Sequence, residues 1–202
     1  MDERDSTWER DDPRFRVYVF AGPGNAVSTV DVLDATIEQA LESALTLSKG
    51  DEYLWALALV DDHSRGSRGL IWLSGMDYND IPTTSVDWQR RRQMQDRYLK
   101  DKQRRGLACK LPNGLRVIRV FPEWVTGWPL WESFSEDYRL TGPALGLSRG
   151  LSDALYAWNE SWRERQEEAS IPEGWEERGR HLVQLLQAEL EGVAEVRPEF
   201  MS

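Results

Sequence analysis

Residues 53–60 read Tyr-Leu-Trp-Ala-Leu-Ala-Leu-Val, eight positions without a charged or amide side chain. A strand sends alternate side chains to opposite faces, so a run like this must be covered on both sides. The chain is therefore committed to packing layers around a sheet. Its 202 residues, 40% of them hydrophobic, supply enough core for one domain, or one domain with a helical extension.

The neighbouring segments fill in the sheet. Phe15, Val17 and Val19 alternate with Arg16, Tyr18 and Phe20, a strand pattern ended by Gly22-Pro23-Gly24-Asn25. Ser28 with Asp31 three residues on has the form of a capping box. Val30, Leu33, Ile37, Leu41, Ala44 and Leu45 then recur at helical spacing as far as Gly50, so a helix is expected from Ser28. The polar stretch Asp61 to Arg68 leads to Leu70–Leu73, an antiparallel partner for 53–60. Thr84 or Ser85 caps a second helix running to about Arg105, with Gly106 beyond it. Asn113-Gly114, two residues that accept positive φ, join Leu107–Leu111 to Leu115–Phe121 as a hairpin.

The order over residues 14–121 is thus β-α-β-β-α-β-β. It predicts an α+β fold: an antiparallel or mixed sheet with helices on one face, a ferredoxin-like plait or a relative of it. Residues 1–13, polar and sign-mixed, read as a flexible acidic tail. Residues 122–147 form a linker rich in Trp, Pro and Gly. Residues 148–202 read as a helical extension packed on the sheet domain, with helices from about Ser148 to Arg165 and Glu173 to Glu191. Val193–Arg197 is expected to be a last edge strand.

Several function classes are disfavoured. No apolar run approaches the roughly 18 residues of a membrane span, and the charged start lacks the apolar stretch of a secretory signal. Cys109 is the one cysteine, which excludes an intramolecular disulfide and fits a reducing, cytoplasmic setting. His63, at a polar loop tip, and His181, on the last helix, belong to no metal-ligand grouping, so neither a metal nor a cofactor is expected. Cys109 falls in an expected strand without a histidine nearby, and no Gly-x-Ser-x-Gly elbow is present. An enzyme of unfamiliar type is the third-ranked reading.

Charge is unevenly distributed. Between Trp88 and Arg105 stand eight basic residues against two acidic ones, +6 locally and −16 over the remainder of a chain whose net charge is −10. This basic helix has three accounts. The first is a solvated face answering the acidic remainder. The second is recognition of phosphate or nucleic acid by Arg91, Arg92 and Arg97. Gly22, Gly24, Asn25 and Ser28 would add backbone donors at a helix N-terminus to that anion site. The third is docking on an acidic protein surface, with the chain's own tail residues Asp2, Glu3, Asp5, Glu9, Asp11 and Asp12 a candidate intramolecular partner.

Ten tryptophans are many for this length. Trp124, Trp128 and Trp131 cluster in the linker, where they either glue the helices to the sheet or form an interface hot spot. The motifs Pro129-Leu130-Trp131-Glu132, Leu145-Gly146-Leu147-Ser148 and Leu155-Tyr156-Ala157-Trp158-Asn159 resemble a pattern in short actinobacterial proteins. An arginine-over-lysine bias, as in GC-rich bacterial genomes, agrees with that resemblance, which implies no activity.

The leading expectation is a small acidic bacterial protein that acts by binding another protein, in the manner of immunity or antitoxin partners. A phosphate-ligand or nucleic-acid binding module is the alternative.

Overall fold

The computed structural model describes residues 11–61, 68–125, 127–164 and 171–201. The fold is α+β, built on two four-stranded sheets. The first sheet contains β1 (Arg14–Ala21), β2 (Ala26–Leu33), β3 (Leu54–Asp61) and β4 (Gly69–Ser74), all antiparallel in the order β2-β1-β3-β4. The helix expected from Ser28 is instead strand β2. Its β-branched residues Val27, Thr29, Val30 and Val32 favour a pleat. Gly22 and Asn25 adopt φ of 70° and 49°, and the Asn25 N–H donates to the Gly22 carbonyl at 3.1 Å, closing a hairpin. Arg14 and Arg16 on β1 both donate to Asp31 on β2 and pin the register. Helix α1 (Ile37–Leu47) starts nine residues later than expected. Its capping box is Thr36 with Gln39, not Ser28 with Asp31.

Strand β3 is covered on both faces, as its sequence demands. Trp55 and Leu57 join Phe15 and Val17 beneath Ala40 and Ala44 of α1. Leu54 and Ala56 join Tyr18 and Phe20 on the opposite face, beneath Met94, Tyr98 and Leu99 of α2 (Ser85–Arg104). Helices on both faces replace the one-sided layer of a plait.

The second sheet has the order β7-β6-β5-β8, from β5 (Arg116–Val120), β6 (Leu130–Glu132), β7 (Arg139–Leu140) and β8 (Ala194–Pro198). Here β5 pairs antiparallel with β6 and parallel with β8. Asn113-Gly114 does sit in a tight turn, but residues 107–111 form no strand. Its backbone hydrogen bonds join Leu111 to Gly114 and Leu115, Asn113 Oδ1 accepts from the Leu115 N–H, and β5 takes its ladder partners from later in the chain. The sheet's inner face, with Ile118, Val120, Leu130 and Val196, packs against α3 (Arg149–Arg163) and α4 (Trp175–Glu189). The rings of Trp158 and Trp175 stack at 4.2 Å, and each indole N–H donates to the other residue's carbonyl. Strand β8 is at the edge, as expected. The Gln187 amide of α4 closes that edge by accepting from the Val196 N–H and donating to the Ala194 carbonyl.

A polar lattice joins the two halves. On β8, Ala194 and Val196 turn to the apolar core, so Glu195 and Arg197 face α2 with Glu199 just beyond. Arg91 donates to both oxygens of Glu195, and Gln95, fully buried, donates to Glu195 and to the Tyr78 hydroxyl. Arg197 is 1% exposed and donates to Gln95 and Asp96. Its other terminal nitrogen lies 2.7 Å from Glu199, which also accepts two bonds from Arg119. Burial pushes the Glu199 carboxyl up, but the Arg119 hydrogen bonds and the charges of Arg197 and Arg119 hold it below the usual range.

Two predictions follow from these contacts. Glu199→Ala leaves Arg119 without its carboxylate and Arg197 with Asp96 alone, and should cost up to about 3–5 kcal/mol in urea unfolding. A loss under about 1 kcal/mol would contradict the lattice. The Asp31 carboxyl is held down at about 2, chiefly by the Arg16 hydrogen bond and then by Arg14. A depressed carboxyl contributes stability that is fully present above its unfolded value, about 4, and is lost as pH falls toward 2. Asp31→Asn should therefore flatten the pH dependence of the urea midpoint between about pH 4 and 2. An unchanged acid profile would dissociate Asp31 from it.

Candidate functional site

The basic helix forms as expected, and its start is fixed by a capping box. The Asp87 N–H donates to Thr84 Oγ1, and the Thr84 N–H donates back to Asp87, at 3.1 Å each. These bonds to Thr84, joined by others from Thr83, hold the Asp87 carboxyl below its ordinary range.

Helix α2 divides its circumference three ways. Met94, Tyr98 and Leu99 are buried on the first sheet, while Arg91 and Gln95 enter the lattice with β8. Arg92, Gln93, Asp96, Lys100 and Gln103 form one wall of an open cleft of about 900 Å³. Arg119, Trp131, Glu132, Ser133, Phe134 and Tyr138, from β5, β6 and the segment after β6, form the other. This cleft is the best-furnished candidate site, because it brings together part of the basic helix and part of the Trp-rich linker.

Its charges are largely committed. Asp96 accepts from Arg197 at 2.9 Å, and Glu132 accepts from Arg116 at 2.6 and 2.8 Å. Arg119 donates to Glu199 and Ser133. Arg97 lies 3.7 Å over the Trp55 ring and donates to Ser74 and to the Trp55 carbonyl, and burial lowers its pKa. Arg92 and Lys100 have no ion-pair partner among the described residues, so the cleft offers two open cations. The aromatic wall is a stack in which Trp131 lies between Phe121 at 4.9 Å and Tyr138 at 5.9 Å. Tyr138 is 45% exposed, and the buried Trp131 indole N–H has no acceptor among the described residues.

The expected site residues thus separate. Of the three arginines, Arg92 alone is open. Arg91 is held by Glu195 and the Tyr78 carbonyl, with its guanidinium 3.9 Å over the Tyr78 ring. Burial lowers its pKa, but the Glu195 interactions outweigh that and raise it. Gly22, Gly24 and Asn25 form a β-turn, and Ser28 lies within β2, so the strand-to-helix anion site is corrected to a hairpin. The three tryptophans occupy separate environments. Trp131 is in the cleft, and Trp128 packs on the second core edge-on to Tyr156. Trp124 is 44% exposed and lies 4.3 Å from Trp162. His63 lies outside the described residues, and His181 is exposed on α4. Among the described residues no group of three or more His, Cys, Asp or Glu is placed to hold a metal ion, and no helix is long and apolar enough to cross a membrane.

Lys100, Arg119 and Tyr138 were missed as site residues. The i, i+4, i+8 spacing of Arg92, Asp96 and Lys100 was a usable signal for one helix face. Nothing in the sequence signals that Arg119 and Tyr138 face it. No protein-family model, curated protein or solved structure matches this chain.

Cys109 is half-buried, and burial, with a smaller contribution from the Glu132 charge, pushes its thiol up. It should therefore react with a disulfide reagent at pH 7–8 more slowly than free cysteine does. Labelling as fast as the free amino acid would identify an activated thiol instead.

Proposed function

We propose that the protein acts by non-covalent binding, and that it recognises an acidic segment of another protein in the cleft between α2 and the β6–β7 region. The observation carrying this reading is the pairing of two open cations, Arg92 and Lys100, with a stacked aromatic wall ending at Tyr138. Arginine and aromatic residues dominate protein-interface energetics. Charge complementarity then asks for carboxylates on the partner, the opposite sign from a basic toxin face.

A nucleic-acid ligand is less well served. Tight binding of a polyanion draws on about 6–10 phosphate contacts, against two open cations here and a net charge of −10. The aromatic faces are also largely taken by each other, and the Arg139 guanidinium lies 5.2 Å over Tyr138. Little free ring face remains for stacking a base.

The test is fluorescence anisotropy with a labelled peptide of alternating Glu and Gly, a thymidine oligonucleotide of equal charge and inorganic phosphate as competitor. The peptide should bind at low salt and weaken as salt rises. Reversal of both cations, Arg92→Glu with Lys100→Glu, should weaken it about tenfold or more, whereas Arg90→Glu outside the cleft should not. Equal binding by the double variant would refute the reading. Preference for the oligonucleotide or for phosphate would replace it with the phosphate-ligand alternative.

A further inference from the structure

Three surface depressions run into one another along α2. The cleft described above meets a smaller one at Arg92. Trp88, Pro198 and Met201 border that second depression and also a third, of about 690 Å³, between residues 78–83, α4 and β8. Together the three use α2 side chains from Ser85 to Gln103, recurring every three or four positions. One helix face therefore walls a continuous groove of about 27 Å at 1.5 Å per residue. About eight residues of extended chain span that length.

The chemistry changes along the groove. At the α4 end stand Ile81, Pro82, Trp88, Val183 and Met201. Ile81 is 83% exposed, and Trp88 is only half-buried and belongs to none of the three cores. Single exposed apolar residues are ordinary, but these share one concave surface. The charged residues at the same end oppose one another, Asp80 against Arg180, which also lies 3.8 Å from Glu176, so no excess of cations draws a carboxylate there. Arg92, where the cleft meets the smaller depression, and Lys100 farther along α2 supply the open positive charge.

We infer that the groove takes an extended partner segment of about eight residues, apolar where it meets Trp88 and Ile81 and acidic where it meets Arg92 and Lys100. The acidic half rests on the reading proposed above; the apolar half and the extended form go beyond it.

The experiment selects a displayed library of random octapeptides on the immobilised full chain, then measures chosen peptides by anisotropy. Enriched sequences should carry apolar residues in one half and Asp or Glu in the other. Ile81→Ser should weaken them about tenfold without changing their salt dependence. Arg92→Glu should weaken them and flatten that dependence. Ile81 is too exposed for its substitution to disturb folding, which an unchanged melting temperature would verify. Trp88→Ala provides a second variant at the same end. Enriched peptides acidic throughout and indifferent to Ile81→Ser and Trp88→Ala would overturn the two-part groove while leaving the acidic cleft standing. Peptides indifferent to Arg92→Glu with Lys100→Glu, or no enrichment at all, would overturn both.

Discussion

The lattice of Arg91, Gln95 and Asp96 against Glu195, Arg197 and Glu199 is the constraint on which the arrangement of the molecule depends. A buried ion pair recovers its desolvation cost only when geometry and extra hydrogen bonds are good, so its net stabilisation is modest. Its positional effect is larger. Sliding β8 by one residue would send Glu195 and Arg197 into the apolar core and Val196 against the guanidinium groups. The lattice therefore sets which side of the second sheet meets α2, and with it the width and floor of the cleft. It also engages Asp96, which would otherwise be left to pair with Arg92 or Lys100, one helical turn away on either side.

The charge contrast in the sequence takes on a narrower meaning at this level. Arg91, Arg97, Arg104 and Arg105 each pair with a carboxylate, and Lys102 lies 4.9 Å over the Tyr98 ring. Arg91 and Arg97 thus fasten α2 to the two sheets, while Arg104 and Lys102 spend their charge within the helix and Arg105 on the loop before β3. What remains for recognition is a small set of cations, chosen by which helix face the two sheets leave uncovered.

Legibility followed the range of the contacts involved. Strand β3 announced its two covered faces through residues 54–60, and the capping residue Thr84 announced α2. The segment 26–33 misled because Val30, Leu33, Ile37 and Leu41 fit helical spacing across what is really a strand and a separate helix. Local β-branching and a hairpin turn decided the matter. Asn113-Gly114 misled in the other direction: a turn signal fixes a reversal, and only a partner with matching edges makes it a hairpin. The cleft was half legible. Arg92 and Trp131 are visible as unusual residues, but the sheet that places Arg119 and Tyr138 opposite α2 depends on β8, about 75 residues away from β5.

That last separation bears on the order in which the molecule can assemble. The first sheet closes through hairpins and short crossings, so its pairings become available early as the chain lengthens. Strand β5 must wait, one edge bare, until residues 194–198 arrive to lie parallel to it. Closing a loop of that length is entropically slow, and a bare central strand is an invitation to foreign edges. The helical pair α3–α4 lies within this interval and packs on the same sheet. Its early collapse, led by the Trp158–Trp175 stack, would carry β8 toward its place and shorten the time that β5 spends exposed.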